Sequence, residues 1–433
     1  MFSIQEERGS MPRATFRAVF LAVFFGTLLL VAAFLLNARR PAGERLQPSA
    51  QFVSATGKCA ECHRQVSPAV VHEFEISAHA VSGKVSCLDC HTPQPGQEKL
   101  DHNGFTIARH LTSQNCGTCH RSEVEQYLRS RHAAPAWAAV SGSKDFTPQQ
   151  IEFAEKYHPG WVKREANPLV AIEGQAAVNK GCYQCHDVGK PNSDGSIGNC
   201  TACHARHAAS LELARSPRTC GQCHMGPDHS QIEIYEESKH GVLFASQREH
   251  MNLSAKPDKI TTADMPVPTC ATCHMGALNG IGGTHDTTER LSYYLFAPVS
   301  ERRPNYQLGQ ARMQDVCLKC HTRPRIDEFY KNAEAVIETT NQRVRESQAV
   351  MKELYDQKLL SPAPFDQPIK FAAFDLWHYY GRTAKHGAFM GGADFVQWHG
   401  YYEMVNHMVE VKHLAQDLLE KHGEHAATTQ PGA

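Results

Sequence analysis

The chain repeats one pentad, Cys-x-x-Cys-His, eight times, and the repeats use all 16 of its cysteines. The copies are Cys59, Cys62 and His63; Cys87, Cys90 and His91; Cys116, Cys119 and His120; Cys182, Cys185 and His186; Cys200, Cys203 and His204; Cys220, Cys223 and His224; Cys270, Cys273 and His274; and Cys317, Cys320 and His321. In c-type haem attachment the two thiols add across the haem vinyl groups, and the adjacent His is placed to ligate the iron. A zinc ribbon pairs two Cys-x-x-Cys knuckles and needs no His after each. A disulfide framework suits a short chain of variable spacing better than uniform pentads in a long one. The sequence therefore predicts eight covalently bound c-type haems, with iron bound by each pentad His.

Composition agrees with that reading. Apolar content of 41% is slightly low for a soluble chain, as expected where porphyrin supplies much of the buried apolar surface. The formal charge of -1 shows no basic bias toward nucleic acid.

Residues 18–36, AVFLAVFFGTLLLVAAFLL, carry no charge. As a helix they would span roughly 28 Å, close to the hydrocarbon thickness of a bilayer. Arg39, Arg40 and Pro41 follow where a cleaved signal peptide would have small residues. The expectation is an uncleaved single-pass anchor in the cell membrane. Because c-type haem is joined outside the bacterial cytoplasm, the remainder is expected in the periplasm or otherwise outside the cytoplasmic membrane.

The intervals between first cysteines follow no fixed period, which excludes a solenoid. Between the pentads lie short helical pieces broken by Gly and Pro, with no long alternating strand pattern. The predicted fold is mainly α, a multihaem cytochrome c domain with little β structure followed by a C-terminal three-helix region. From Asp327 to Leu360 an apolar stripe marks a long amphipathic helix. After the break SPAPFDQP a second helix starts near Phe371, and after GAFMGGAD a third runs from about Phe395 to Lys421. The expected organisation is a cytoplasmic N-terminus over 1–17, the anchor over 18–36, a tether over 37–57, the octahaem domain over 58–325, the helical region over 326–425 and a disordered tail over 426–433.

A low-spin electron-transfer haem takes a second axial ligand, whereas one that binds substrate leaves that position open. Eight of the 26 histidines are in pentads. Distal candidates are His79, His102, His132, His207, His240 and His285. His207 lies three residues past His204, so it is expected to cap a neighbouring haem instead of its own. His407, His413, His422 and His425 read as surface or helix-packing residues.

The run GCYQCH, NCTACHARH, TCGQCHMGPDH, YEESKHG, PTCATCHM and THDTTERLSYYLFAPV resembles the octahaem hydroxylamine oxidoreductase family, from about Lys58 into the C-terminal helices. The resemblance implies seven bis-His haems and one open haem, the fourth along the chain, held by Cys182, Cys185 and His186. It places an Asp-His pair, Asp228 and His229, and Tyr294 in the pocket of that haem. For the seventh distal ligand it leaves His386 preferred over His72, His110 and His378.

The same resemblance bears on the direction of reaction. In oxidative members a Tyr from a neighbouring subunit is joined to the catalytic porphyrin, and alignment with MGGADFVQWHGYY puts Phe395 there, with Tyr401 and Tyr402 as alternatives a few residues on. Phenylalanine cannot make the linkage, so reduction of nitrite or hydroxylamine to ammonia is expected. The other readings are hydroxylamine oxidation, a non-catalytic electron conduit and reduction of sulfur oxyanions. The pentahaem nitrite reductases place Lys after the catalytic Cys-x-x-Cys, and no such pentad occurs here. Expected partners are a small nitrogen substrate, a quinol-oxidising or small c-type cytochrome, the membrane and two further copies in a homotrimer, with no nucleic acid.

Overall fold

The computed structural model describes residues 13–38 and 50–428. These divide into two compact units, 1–54 and 55–433, each described by itself. In the first, Arg13–Ala38 is a 26-residue helix, and Phe20, Phe24, Phe25, Leu29 and Leu30 are exposed on it. Among the described residues no helix is long and apolar enough to cross a membrane; of the expected span, the side chains of residues 18, 19 and 33–36 lie outside the description. Residues 1–12 and 39–49, which hold most of the expected N-terminus and tether, also lie outside it, as do 429–433 of the expected tail. Two of those expectations change where the chain is described. The tether is helical from Ala50, with a break at Gly57, whose φ of 52° leaves the helical region, and the last helix continues to Thr428.

Up to the last pentad the second unit is built from short helices. The reason is visible in the pentads. Within one helical turn, positions i, i+3 and i+4 share a face, so a turn wound on each pentad presents both thiols and the imidazole together. Cys87–His91, Cys182–His186 and Cys270–His274 are such single turns. At His120, His204, His224 and His321 the backbone N–H donates to the carbonyl of the first Cys at 2.8–3.0 Å. Most of these turns start from a local cap, which satisfies otherwise unpaired N–H groups: Ser86 with Asp89, Thr112 with Asn115, Asn199, and Thr269 with Thr272.

A buried polar knot ties three haem segments together. Asp194 accepts from Thr112 Oγ1 at 2.7 Å and Gln97 Nε2 at 3.0 Å, Gln97 also donates to Asn115, and Asn115 Nδ2 donates to the Cys90 carbonyl at 3.0 Å. Because a buried polar group left unpaired costs about 1–3 kcal/mol, this closed set fixes the second pentad, the third and the loop before the fifth. Arg290 does the same at the seventh, donating to the carbonyls of Thr272, Cys273, Gly276 and Gly282 at 2.9–3.1 Å.

Among the described residues the one sheet is a two-stranded antiparallel hairpin, Lys99–His102 with Phe105–Ala108. Its turn is Asn103-Gly104, with φ of 52° and 83°, the positive pair that an Asn-Gly turn adopts at low cost. The expectation of little β structure holds.

At the C-terminal end, Arg323–Asp356 is one 34-residue helix. Pro368–Asp375, a π-helical stretch Leu376–Gly381 and Arg382–Met390 follow, then Ala393–Val396, a second π-helical stretch Gln397–Tyr402, and Glu403–Thr428. Their apolar faces meet in two clusters, one around Leu354, Ile369 and Val411 and one around Val344, Leu376 and Met404. The expected division at 325/326 does not separate compact units, because 55–433 is one. Lys385 shows why: it is fully buried and donates to the carbonyls of Ala297 and Pro298 and to Ser300 Oγ. Asn341 pairs with both backbone groups of Ser300. The C-terminal helices are thus pinned onto the loop at 296–300.

Candidate functional site

Six pentad histidines face a second imidazole. Ring centroids lie 5.9 Å apart for His63 and His102, 6.1 Å for His79 and His120, 6.3 Å for His91 and His207, 5.7 Å for His132 and His224, 6.2 Å for His204 and His285, and 6.0 Å for His240 and His321. Imidazole nitrogen binds first-row metals at about 2 Å, so two rings on opposite sides of one ion have centroids about 6 Å apart. The pairs fit a shared iron. All six distal candidates named from the sequence are in them, and His207 faces His91 of the second pentad and not His204 of its own.

Ring orientation supports the same fit. Nδ1 is engaged in His63 with Ser67 Oγ at 2.6 Å, in His132 with Thr287 Oγ1 at 3.3 Å, in His186 with the Ala136 carbonyl at 2.5 Å, and in His224 with Gln231 Oε1 at 3.4 Å. A second partner on one ring nitrogen fixes the tautomer and leaves Nε2 for metal. Burial lowers the His224 pKa to about 3 and that of His274 to about 4, which keeps both in the neutral, metal-binding form.

The cysteines show how the segments neighbour one another. Contacts link Cys59 with Cys87, Cys116 with Cys200 and Cys220 with Cys270, and Cys90 lies within electrostatic reach of Cys116, Cys203 of Cys220 and Cys273 of Cys317. Cys185 meets Cys223. The pentads therefore run one, two, three, five, six, seven and eight in space, and the fourth branches from the sixth.

Among the described residues, two pentad rings, His186 and His274, meet no second imidazole ring. His274 is half-buried beside Arg290 and within electrostatic reach of His132. His386, the preferred seventh distal residue, is buried. Its Nδ1–H donates to the Arg382 carbonyl at 2.8 Å, and it is within electrostatic reach of His224. His132, His229 and His386 thus stand among His186, His224 and His274, with the His229 ring 6.1 Å from that of His224. The alternatives are placed elsewhere: His72 and His110 are exposed, and His378 Nε2 accepts from Arg382 Nη1 at 2.8 Å. Of the tail histidines, His413 and His422 are exposed, His407 packs on Tyr380, and His425 lies outside the described side chains.

The surroundings of His186 differ. Its electrostatic neighbours are His229 and Asp228. Asp228 Oδ1 accepts a short hydrogen bond from His229 Nδ1, and Arg382 lies 3.9 Å from the other carboxylate oxygen. Burial works to raise the Asp228 carboxyl, but the His229 hydrogen bond and the charges of His229, His378 and Arg382 outweigh it and hold the group below the ordinary range. Arg382 is held by the Phe296 carbonyl at 3.0 Å, and burial brings its pKa down to about 10 against the opposing pull of Asp228. It stays charged at neutral pH. The Phe296 ring walls the group, meeting His229 at 6.3 Å and His386 at 4.8 Å.

Several packing features hold the fourth pentad in place. Tyr183 stacks on Trp137 at 4.4 Å, and the Tyr127 hydroxyl donates to the Val188 carbonyl at 2.5 Å. Gly189 approaches so closely that a Cβ would sit 1.9 Å from the Ala133 carbonyl oxygen.

Two sequence expectations are corrected by placement. The Tyr294 ring lies 6.1 Å from Trp161, between Arg131 and Arg303, with no ring contact or hydrogen bond to Asp228 or His229 among the described residues. Phe395 is 7% exposed and stacks on His399 of its own chain, so it does not reach toward a neighbour. Tyr401 is also committed inward, to Thr340 and the Val336 carbonyl, whereas Trp398 and Tyr402 are exposed. Sequence reasoning missed Arg382. Its only signal was the His378/Arg382 spacing of four, which places both on one helical face.

A family model described as seven times multi-haem cytochrome CxxCH matches residues 83–368. The chain belongs to that family. Among curated relatives, a probable nitrite reductase-hydroxylamine oxidoreductase fusion protein of Kuenenia stuttgartiensis is 24% identical over 360 residues, which is 72% of this chain and 39% of the relative. The multi-haem chain thus spans well under half of that protein. Two solved structures share the fold. One, titled a hypothetical multiheme protein, has a TM-score of 0.74 at 22% identity, covering 88% of this chain and 98% of its own. The other, a reducing HAO-like protein complex of Kuenenia stuttgartiensis, has a TM-score of 0.65 at 20% identity, covering 86% of each.

Proposed function

We propose that this multi-haem cytochrome carries eight haems, reduces nitrite or hydroxylamine to ammonia at the fourth, and uses the other seven to relay electrons. The observation that carries the reading is the contrast at His186: Asp228, His229 and Arg382 gather there, where six of the other pentads have a second imidazole and His274 has no such group of charges beside it. Haem attached to Cys182 and Cys185 would supply electrons and a metal position for a nitrogen oxide. The protein's own part is charge and protons. Arg382, fixed by Phe296 and His378, offers a cation to an anionic oxygen in a desolvated site. With His229 Nδ1 taken by Asp228, Nε2 remains to hold or pass a proton. The branch from the sixth pentad provides the route for electrons.

The reductive direction is supported by the relatives, one described as a nitrite reductase-hydroxylamine oxidoreductase fusion and one as a reducing complex. Exposed Tyr402 favours the second reading, hydroxylamine oxidation, because its phenol is free to meet a neighbouring subunit. Supporting a trimer, Trp398, Tyr402, Val405 and Val409 form an exposed apolar stripe on the C-terminal helices. From the sequence alone, the uncharged run 18–36 would be an N-terminal membrane anchor, with the haem unit outside the cytoplasmic membrane and a quinol-oxidising or small c-type cytochrome as donor.

The test is to reduce the purified holoprotein, add nitrite or hydroxylamine, and follow haem reoxidation with ammonia assayed. Reoxidation with ammonia formed is expected, alongside a high-spin fraction near one haem in eight. Only low-spin haem without turnover would leave an electron conduit, and hydroxylamine-driven reduction of the oxidised protein would reverse the direction.

A further inference from the structure

A second group of cations stands apart from Asp228, His229 and Arg382. Three segments meet there: Arg131, just after the helix Arg121–Leu128; His158 to Trp161, just after Pro148–Tyr157; and the pair of strand-like stretches carrying Tyr294 and Arg303. The Arg131 guanidinium carbon lies 3.3 Å from the Trp161 ring centroid and 4.8 Å from that of Tyr294. Arg303 lies 4.9 Å from Tyr294. The phenol ring is therefore shared by two guanidinium groups of like charge.

Neither cation is neutralised. Among the described residues no carboxylate comes within ion-pair distance of Arg131 or Arg303. The acid nearest in charge terms, Asp286, is turned to Thr288, whose N–H and hydroxyl donate to it at 3.0 and 2.5 Å. Two polar atoms are buried with no partner, Arg131 Nε and His158 Nε2. His158 is only 4% exposed, and its other contacts are with the backbone carbonyls of Arg129 and Ser130. Gathering two partly desolvated cations costs several kcal/mol unless an anion joins them, and a forked guanidinium matches a carboxylate best.

We propose that Arg131 and Arg303, with His158 and Tyr294, form a carboxylate-binding site whose occupant is a haem propionate. His158 Nε2 suits either state of that group: protonated it donates to a carboxylate, and neutral it accepts from a carboxylic acid. The anion is already at hand, because each c-type haem carries two propionates, and His132, the residue after Arg131, faces His224. His132 also lies in electrostatic reach of His186. A free oxyanion such as nitrite has the same chemistry and is the competing source. This inference rests on haem attachment, which family membership establishes, and not on the proposed reaction.

The test uses Arg131→Gln and Arg303→Gln in the full-length holoprotein, with haem content counted by intact mass. The expected result is a downward shift in the midpoint potential of one haem, because a stabilising cation is lost, and an altered propionate bending band in resonance Raman, with the other haems unchanged. Titration with nitrite and with acetate is expected to show no binding step that the variants lose. Unchanged potentials and propionate bands in fully loaded variants would overturn the assignment. If the variants instead lose one stoichiometric nitrite- or acetate-binding step, the site takes free anions, and the propionate assignment also falls. Should a Gln variant fail to load haem, Arg303→Lys, which keeps charge but not the fork, supplies the same Raman readout. A propionate band unmoved there and insensitive to pH in the wild-type protein would count equally against the proposal.

Discussion

The surroundings of His63 and of His186 are built from the same pentad and differ in what stands opposite. His63 meets His102 at the ring spacing of a shared iron, and its Nδ1 is held by Ser67. His186 has the same kind of support behind it, the Ala136 carbonyl, but in front are a carboxylate, a protonatable imidazole and a guanidinium. Two imidazoles saturate an iron and leave it only electrons to exchange. A charged, proton-bearing wall opposite one imidazole allows chemistry on a bound molecule. The pentad therefore specifies attachment, and the residue that folding delivers to the other face specifies use.

The largest test of this contrast is His229→Ala. If His229 passes protons to the substrate, kcat for nitrite or hydroxylamine reduction should fall by about 10²–10⁴, while the low-spin spectrum of the other haems stays as it was. An unchanged kcat would reduce His229 to a wall residue. Installing the contrast in reverse, His102→Ala should open the first haem, adding a second high-spin signal without adding turnover, since no Asp-His pair faces His63. New turnover there would show that an open position alone suffices.

Arg382 sharpens the comparison through charge. Nitrite is an anion and hydroxylamine is neutral at pH 7, so Arg382→Gln should lower kcat/KM for nitrite by about 10- to 100-fold, as expected for a charge-assisted contact worth about 1.5–3 kcal/mol. Hydroxylamine should lose much less. Equal losses for both would mean that Arg382 acts by positioning Asp228 and Phe296, not by meeting substrate.

The direction of reaction turns on a covalent bond, which intact mass under denaturing conditions reads directly. With Phe395 buried in its own chain, the expected result is the mass of a single chain with its haems. A cross-linked species that disappears in Tyr402→Phe would move the protein to the oxidative reading.

How much of this was legible in the sequence depends on the range of the interaction. The pentads are local, one helical turn each, so attachment sites and proximal histidines could be named from spacing. The six distal histidines now facing a pentad ring were found because each lies in a short segment near a haem site. His207 illustrates the limit: its short distance from His204 excluded its own haem but could not name His91, 116 residues upstream, as its partner. The Asn103-Gly104 turn is a local hairpin signal, but strands of only four residues are too short to show an alternating pattern. Arg382 and the true surroundings of Tyr294 depend on how the C-terminal helices dock on the loop at 296–300, through Lys385 and Asn341. Such long-range packing leaves no periodicity.

The smallest expected effect concerns how the two kinds of segment are held. The seventh pentad helix begins with a reciprocal cap in which Thr269 and Thr272 bond each other's backbone N–H groups. The fourth begins at Gly181 without a side-chain cap and depends on packing from outside, through the Tyr183 and Trp137 stack. Thr269→Ala should therefore cost about 1 kcal/mol, the usual value of a lost N-cap, and leave the spectrum of the fourth haem untouched. Trp137→Ala, which removes a large buried ring from against the fourth pentad, should cost about 3–5 kcal/mol and perturb that haem first. Guanidinium unfolding followed at the Soret band separates the two. Equal destabilisation, or loss of the same haem signal in both variants, would mean that the haem segments unfold as one block and that the open site has no separate support.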